Sequence, residues 1–267
     1  MAGLILGGCA SPAARFLDAA SARDFTIALP AADDPGALVI IRKGTARAGV
    51  PLHVYLDGDG SPWRAGGRPA VDPTARNPLV LDLMQRDPAP AILVGRPCYY
   101  RERPDCDAMT WTDRRYGEDV VERLRHAIER EIAAAPSSPL TLIGYSGGGA
   151  LAMLLAPRLS RIERVITVAA NLDVAAWAAD HGQGPPAGSL DPARQPSLPA
   201  SIRQYHYFGA EDGNVRAASM IPVARRQAAA TIDVVGGFNH RCCWREQWPE
   251  LLARAVAGGG GSSQKGD

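Results

Sequence analysis

Leu140-Thr141-Leu142-Ile143-Gly144-Tyr145-Ser146-Gly147-Gly148-Gly149-Ala150-Leu151-Ala152-Met153-Leu154-Leu155 is the stretch that decides how this 267-residue chain reads. A short β-rich apolar run, 140–143, meets a Gly-x-Ser-x-Gly, and a helix-forming run follows at once. A serine in a sharp strand-to-helix turn sits in strained backbone and needs small neighbours. Gly144 and Gly148 supply them, and the turn lifts the Ser146 hydroxyl clear of the sheet edge. The first N–H groups of the following helix point at the same spot and favour negative charge there. The competing reading is a glycine-rich loop that cradles a phosphate. It lacks the lysine of a Gly-x-x-x-x-Gly-Lys-Ser/Thr loop.

Upstream of this stretch, 25–29, 38–42 and 52–56 are short β-rich runs separated by turn residues such as Asp33-Asp34-Pro35-Gly36. They suggest an antiparallel start to a sheet. The third run ends in Asp57-Gly58-Asp59-Gly60-Ser61-Pro62-Trp63. A helical stretch over 77–85 and a strand over 91–94 follow. Helical periodicity then runs over 116–134 until Pro136 stops it. Downstream come a strand over 164–168 and an irregular, Gly/Pro-rich excursion over 181–200. After that come a strand at 204–208, a mostly helical 216–230, a strand at 231–235 and a helix at 245–256. Strands alternating with helices argue a mainly parallel α/β sheet with helices on both faces. The expected organisation is a leader remnant and linker over 1–23, one domain over 24–256, and a Gly/Ser-rich disordered tail over 257–267.

A serine hydroxyl attacks only when a base takes its proton, and that base is usually a histidine oriented by a carboxylate. His53 and His206 fall inside expected strands, His126 on the long helix, and His181 at the start of the excursion. His240 differs. It lies in Gly236-Gly237-Phe238-Asn239-His240-Arg241, between the last strand and the last helix, where a loop can lean over the carboxyl edge of the sheet. Asp212, in Phe208-Gly209-Ala210-Glu211-Asp212-Gly213, follows a strand and would project at that edge. Asp173, in Asn171-Leu172-Asp173, is the alternative, and either could instead cap a turn.

The order Ser146, Asp212, His240, together with the strand–Gly-x-Ser-x-Gly–helix setting, resembles the α/β-hydrolases. The likeness covers about 24–256 and is to the kind found among bacterial serine esterases and lipoproteins. It implies Ser146 as nucleophile, His240 as base and Asp212 as acid. The amide of Gly147 would be one oxyanion donor, with a second from the loop after the third strand. Many members show His-Gly in that loop. Asp57-Gly58-Asp59-Gly60 stands here, with Asp59 at the matching amide. An acidic side chain beside an oxyanion repels it unless it turns away or is bonded. The family's cap enters after the sixth strand; here only 171–200 is available, so the cap is minimal. Tyr145, Trp63, Trp177 and Phe238 are candidate walls of the substrate pocket, or core packing. The implied activity is cleavage of a carboxylic ester through an acyl-enzyme. Thioesterase, lactonase, amidase and a non-catalytic binding lipoprotein on the same scaffold remain as alternatives.

The family's strand order would set Cys98 and Cys242-Cys243 five strands apart, about 24 Å at ~4.8 Å per strand. A disulfide needs Cα atoms within roughly 4.4–6.8 Å. Cross-pairs are therefore not expected. Cys98 and Cys106 are expected to pair. Cys242-Cys243 is expected as a vicinal bridge in preference to two thiols. Leu6-Gly7-Gly8-Cys9 resembles the end of a bacterial lipoprotein signal that has lost its charged start, and would place a lipid on Cys9. The chain would then be exported, as a periplasmic or outer-membrane lipoprotein or a secreted protein, and monomeric.

Composition excludes other classes. The net charge is +1 and no basic block occurs, so nucleic-acid binding has no electrostatic footprint. Hydrophobic residues make up 46% and charged residues 21%, which suits a chain that buries a large core. No apolar run approaches the ~20 residues needed to span a bilayer. No metal-site spacing is present, and no Gly-x-Gly-x-x-Gly follows a strand, so neither a metal nor a dinucleotide cofactor is expected.

Overall fold

Runs of branched and aliphatic residues form the strands at the centre of the structure. Leu52–Leu56 (β3), Ala91–Val94 (β6) and Leu140–Tyr145 (β7) are buried almost throughout, the pattern of parallel strands covered on both faces. The computed structural model describes residues 10–31, 34, 36–100, 106–133 and 136–257. The remaining strands of the main sheet are Thr26–Ala28 (β1), Ile40–Lys43 (β2), Ile162–Val168 (β8), Arg203–Gly209 (β9) and Ala230–Val235 (β10). Trp63–Arg64 (β4) and Arg68–Pro69 (β5) form a separate small hairpin. The main sheet has the order β1-β2-β6-β3-β7-β8-β9-β10. β2 is antiparallel to both β1 and β6; every other pairing is parallel.

Alternate side chains on each strand feed two cores. Along β3, Leu52, Val54 and Leu56 face one core, while Tyr55 faces the other. The first core is closed by Glu118–Ala133 (α3), Gly147–Leu155 (α4) and Ala217–Arg225 (α6), with Val174–Asp180 (α5) at its edge. The second is closed by Pro12–Ser21 (α1), Leu79–Arg86 (α2) and Trp244–Ala257 (α7). Trp244 and Trp248 of α7 are completely buried. Helices on both faces of a mostly parallel sheet agree with the architecture expected from the sequence.

The helix α1 falls inside the stretch read as leader and linker. Ser11 caps it by accepting from the Ala14 N–H, Pro12 occupies its first position, and Phe16 is buried with its ring 4.5 Å from that of Tyr100. Residues 12–21 therefore share the second core with the rest of the domain. The helix α6 is shorter than the expected 216–230. It ends at Arg225, and Ala229 already accepts from the Gln204 N–H of β9. Within 181–200 the chain folds back on itself. The Asp191 carboxylate accepts from the Val174 and Ala175 N–H groups at the start of α5, and Leu190 N–H donates to Tyr116 O.

The strands β6 and β10 lie five places apart in the sheet, so the loops carrying Cys98 and Cys242 are well separated. Cys98 pairs with Cys106 and Cys242 with Cys243, with Cα–Cα distances of 5.7 and 3.7 Å. Cys9 and 258–267 lie outside the described residues.

Candidate active site

Ser146 joins β7 to α4 with φ 53° and ψ −123°, a conformation that costs a residue with a side chain of order 1–3 kcal/mol. Three backbone bonds hold it there. Ser146 N–H donates to Val168 O at 2.9 Å, and its own carbonyl accepts from Gly149 at 2.9 Å and Asn171 at 3.2 Å. The turn also needs close backbone approach. A Cβ on Gly148 would stand 2.0 Å from Leu56 O, so no larger residue fits between β3 and the elbow.

His240 reaches the serine from the loop between β10 and α7. Its Nε2 lies 3.1 Å from Ser146 Oγ, and its Nδ1 lies 2.8 Å from Asp212 Oδ2. The second carboxylate oxygen, Oδ1, accepts from the N–H groups of Asn214 and Val215, both at 2.8 Å. Asp212 is thus pinned and its side chain fully buried, while the imidazole keeps 17% exposure. With Nδ1–H donating to Asp212, Nε2 is free to accept from the serine hydroxyl. The Tyr145 hydroxyl donates to His240 O at 2.9 Å, which ties the histidine loop to the residue before Ser146.

The other candidates are occupied elsewhere. Asp173 caps α5, with Oδ1 accepting from the Ala176 N–H at 2.8 Å. His53 pairs with Asp87 at 2.5 Å inside the second core's edge of the sheet. His206 is buried beside Thr167, and burial pushes it down to about 4, so it stays neutral.

The loop after β3 runs against Ser146; a Cβ on Gly58 would lie 3.1 Å from Ser146 Cβ. Its two acids are both bonded. Asp57 accepts from its neighbour Gly58 N–H at 2.8 Å and from the Tyr100 hydroxyl at 3.1 Å. Asp59 takes Arg96 Nη1 at 2.7 Å, the Tyr116 hydroxyl at 2.7 Å and Arg115 Nη1 at 3.3 Å. Burial alone would raise the Asp59 carboxyl, but the two guanidiniums and the tyrosine more than offset it and hold the group below its ordinary value. The carboxylate is neutralised within its own cluster. The cluster also dictates Gly147, where a Cβ would sit 1.9 Å from Asp59 Oδ1. As the first residue of α4, Gly147 has an N–H with no acceptor inside the helix.

Burial, opposed by the Gly58 and Tyr100 bonds, pushes Asp57 up to about 6. The folded protein thus holds a proton that the unfolded chain has released. Its contribution to stability is present at acid pH and is lost as pH rises from 3.8 toward about 6. Asp57→Asn keeps the shape and removes the titration. Relative to the wild type, the variant is expected to gain up to about 3 kcal/mol of unfolding free energy between about pH 4 and about pH 7. Urea unfolding of both proteins at the two pH values measures this, and a difference that does not change with pH contradicts it.

Ser146 and His240 open on a cavity of about 740 Å³ at the carboxyl edge of the sheet. Trp63, Tyr145 and Trp177 line it. Phe238 does not. Its apolar ring is buried in the second core, where it packs edge-on to Trp244 at 4.8 Å. Arg76, Arg115, Arg241 and Asn171, none of them singled out in the sequence, also line the cavity. Among the described residues no group of three or more His, Cys, Asp or Glu side chains is placed to hold a metal.

No protein-family model matches the chain, and neither does any curated protein sequence. Solved structures do. One is a lidless α/β serine hydrolase from Xanthomonas campestris, 15% identical, with TM-score 0.54, covering 81% of this chain and 88% of that one. An esterase from Pyrococcus furiosus is 12% identical, with TM-score 0.59 over 94% of this chain and 95% of that one. A proline iminopeptidase-related protein from Thermus thermophilus is 15% identical, with TM-score 0.59 over 87% and 99%. Sheet order, strand directions and these neighbours agree: the chain has the α/β-hydrolase fold.

Proposed function

We propose that the protein is a serine hydrolase that cleaves carboxylic esters by acyl transfer through Ser146. The observation that carries the reading is the continuous relay from Ser146 Oγ through His240 to a fully buried, doubly anchored Asp212, set in a strained elbow on an open cavity. His240 takes the serine proton as Oγ attacks the carbonyl, and Asp212 stabilises the imidazolium. The amides of Gly147 and Asp59 receive the oxyanion. His240 then protonates the leaving alcohol, and in a second round activates the water that releases the acid.

The test is a panel of 4-nitrophenyl esters of increasing acyl length beside a thioester and an anilide, with fluorophosphonate labelling of the same preparation. Ester turnover with labelling at Ser146 supports the reading. Turnover of the thioester or anilide alone moves it to another acyl-transfer class, and absence of labelling removes it.

Two disulfides support an oxidising compartment, in line with export, and mass analysis of the native full-length product at Cys9 tests lipidation. The Cys242–Cys243 bridge lies two residues beyond His240. There Asn239 Oδ1 accepts from the Arg241 and Cys242 N–H groups, and Trp244 Nε1 donates to Asn239 O. Removing the bridge in a Cys242→Ser, Cys243→Ser double variant is expected to lower kcat by up to about 100-fold through loss of histidine placement. The melting temperature should fall by only a few degrees, about 1 kcal/mol. A kcat unchanged in this double variant contradicts the assignment.

A further inference from the structure

The cavity contains more positive charge than the proposed ester chemistry needs. Three arginines, Arg76, Arg115 and Arg241, line it against two carboxylates, those of Asp57 and Asp59, and a fourth guanidinium, Arg96, lies beneath Asp59. Both carboxylates are already bonded, Asp57 to Gly58 and Tyr100 and Asp59 to Arg96 and Tyr116. Arg76 and Arg241 are exposed at the lip, and among the described residues neither guanidinium has a hydrogen-bond or ion-pair partner.

Arg115 is the informative residue. Its side chain is only 4% exposed, yet it lines the cavity. Its Nε donates to Thr112 O at 2.8 Å, its Nη1 reaches Asp59 Oδ2 at 3.3 Å, and the guanidinium carbon lies 5.5 Å from the centre of the Trp177 ring. Its Nη2 has no partner among the described residues. The bland account makes Arg115 a tie for Asp59. That account is incomplete, because Arg96 and Tyr116 hold the same carboxylate at 2.7 Å and Arg115 reaches it through Nη1 alone at 3.3 Å. The Nη2 donor keeps contact with the solvent of the cavity, and Arg is the side chain whose fork matches a carboxylate. The contact of its Nη1 with Asp59, whose carboxylate adjoins Gly147, brings the Arg115 side chain to the loop beside Gly147.

We infer that the cavity selects esters carrying a second, carboxylate group, on the acyl or the alcohol part, with Arg115 as its buried anchor and Arg76 and Arg241 collecting it at the lip. The inference rests on the ester reading above and gives that site its substrate class. It also accounts for the arginines set in a cavity whose aromatic wall is Trp63, Tyr145 and Trp177. Electrostatic collection by the two exposed arginines acts over about one Debye length and is weakened by salt.

Two matched pairs of substrates test it. Mono-4-nitrophenyl adipate against 4-nitrophenyl hexanoate places the charge on the acyl side. For the alcohol side, 4-carboxyphenyl hexanoate is set against 4-carbamoylphenyl hexanoate. In at least one pair the anionic member is expected to have a kcat/KM about 10-fold or more above its neutral partner, as a charge-assisted hydrogen bond supplies. That ratio should shrink several-fold at about 0.5 M NaCl. In Arg115→Gln it should fall to about one, and in the Arg76→Gln, Arg241→Gln double variant it should fall part of the way. Because the ratio is read within each protein, a general loss of activity does not mimic the effect. Should Arg115→Gln fail to fold, the salt series on the wild type and the double variant still decide. Turnover of the neutral esters without an anionic preference in either pair overturns this inference alone. So does a preference that Arg115→Gln retains. Failure of all four esters overturns the ester reading and this one with it.

Discussion

Alanine at position 146 should lower kcat for a 4-nitrophenyl ester by about 10⁵–10⁶-fold, the scale on which a serine nucleophile matters when it acts as a unit with its base. The substitution deletes one oxygen and little else. Among the described residues the Ser146 hydroxyl's one side-chain partner is His240 Nε2, at 3.1 Å, so no core contact is lost. Alanine at φ 53° carries the same backbone strain as serine, and the bonds that hold the elbow, to Val168, Gly149 and Asn171, are all from the main chain. The melting temperature should therefore stay within about 2 °C of the wild type. On the proposed mechanism the pair of amides at Gly147 and Asp59 survives, which leaves a residual ~10³–10⁴-fold over water. Fluorophosphonate labelling should disappear completely. Labelling that persists in Ser146→Ala would show that another nucleophile does the chemistry.

The elbow and the order of its partners were legible because both are local signals. A strand, five residues of Gly-x-Ser-x-Gly and a helix are contiguous, and Asp212 and His240 each follow a strand that ends at the same edge. The central strands were legible for a similar reason, since burial on both faces leaves a nearly unbroken apolar run. Residues brought together from afar were not. The sequence showed two acids on the oxyanion loop as a difficulty. The answer to Asp59, Arg96 and Arg115, lies 37 and 56 residues away in a loop with no regular pattern. The same applies to the positive lining, whose three arginines come from three separate loops. Phe238 shows the limit from the other direction. It was a candidate pocket wall, but its side chain goes into the core while that of His240, two residues on, faces the serine. The helix α1 did carry a signal, Ser11 followed by Pro12, that the resemblance of the preceding residues to a leader obscured.

Asp212→Asn should cost about 10⁴-fold in kcat while Asp173→Asn costs less than about threefold, and the environment of each carboxylate explains the gap. At Asp212, Oδ1 accepts two backbone N–H groups, from Asn214 and Val215, so an asparagine must place its carbonyl oxygen there. Its NH₂ group then occupies the position of Oδ2 and points a hydrogen at His240 Nδ1, 2.8 Å away. The imidazole can meet that donor only by moving its own proton to Nε2. An Nε2–H facing Ser146 Oγ cannot accept the serine proton, and the positive charge that forms during attack loses its counter-ion. The variant thus holds the wrong tautomer in an unchanged frame, and its loss should appear in kcat with KM within a few-fold of the wild type. At Asp173 the same change is mild, because the side chain caps α5 through one oxygen and asparagine caps equally well. Steady-state kinetics of the two variants on one ester settle the matter. If Asp173→Asn proves the more damaging of the two, the acid belongs at the end of β8 and the relay through Asp212 is not the one that drives the serine.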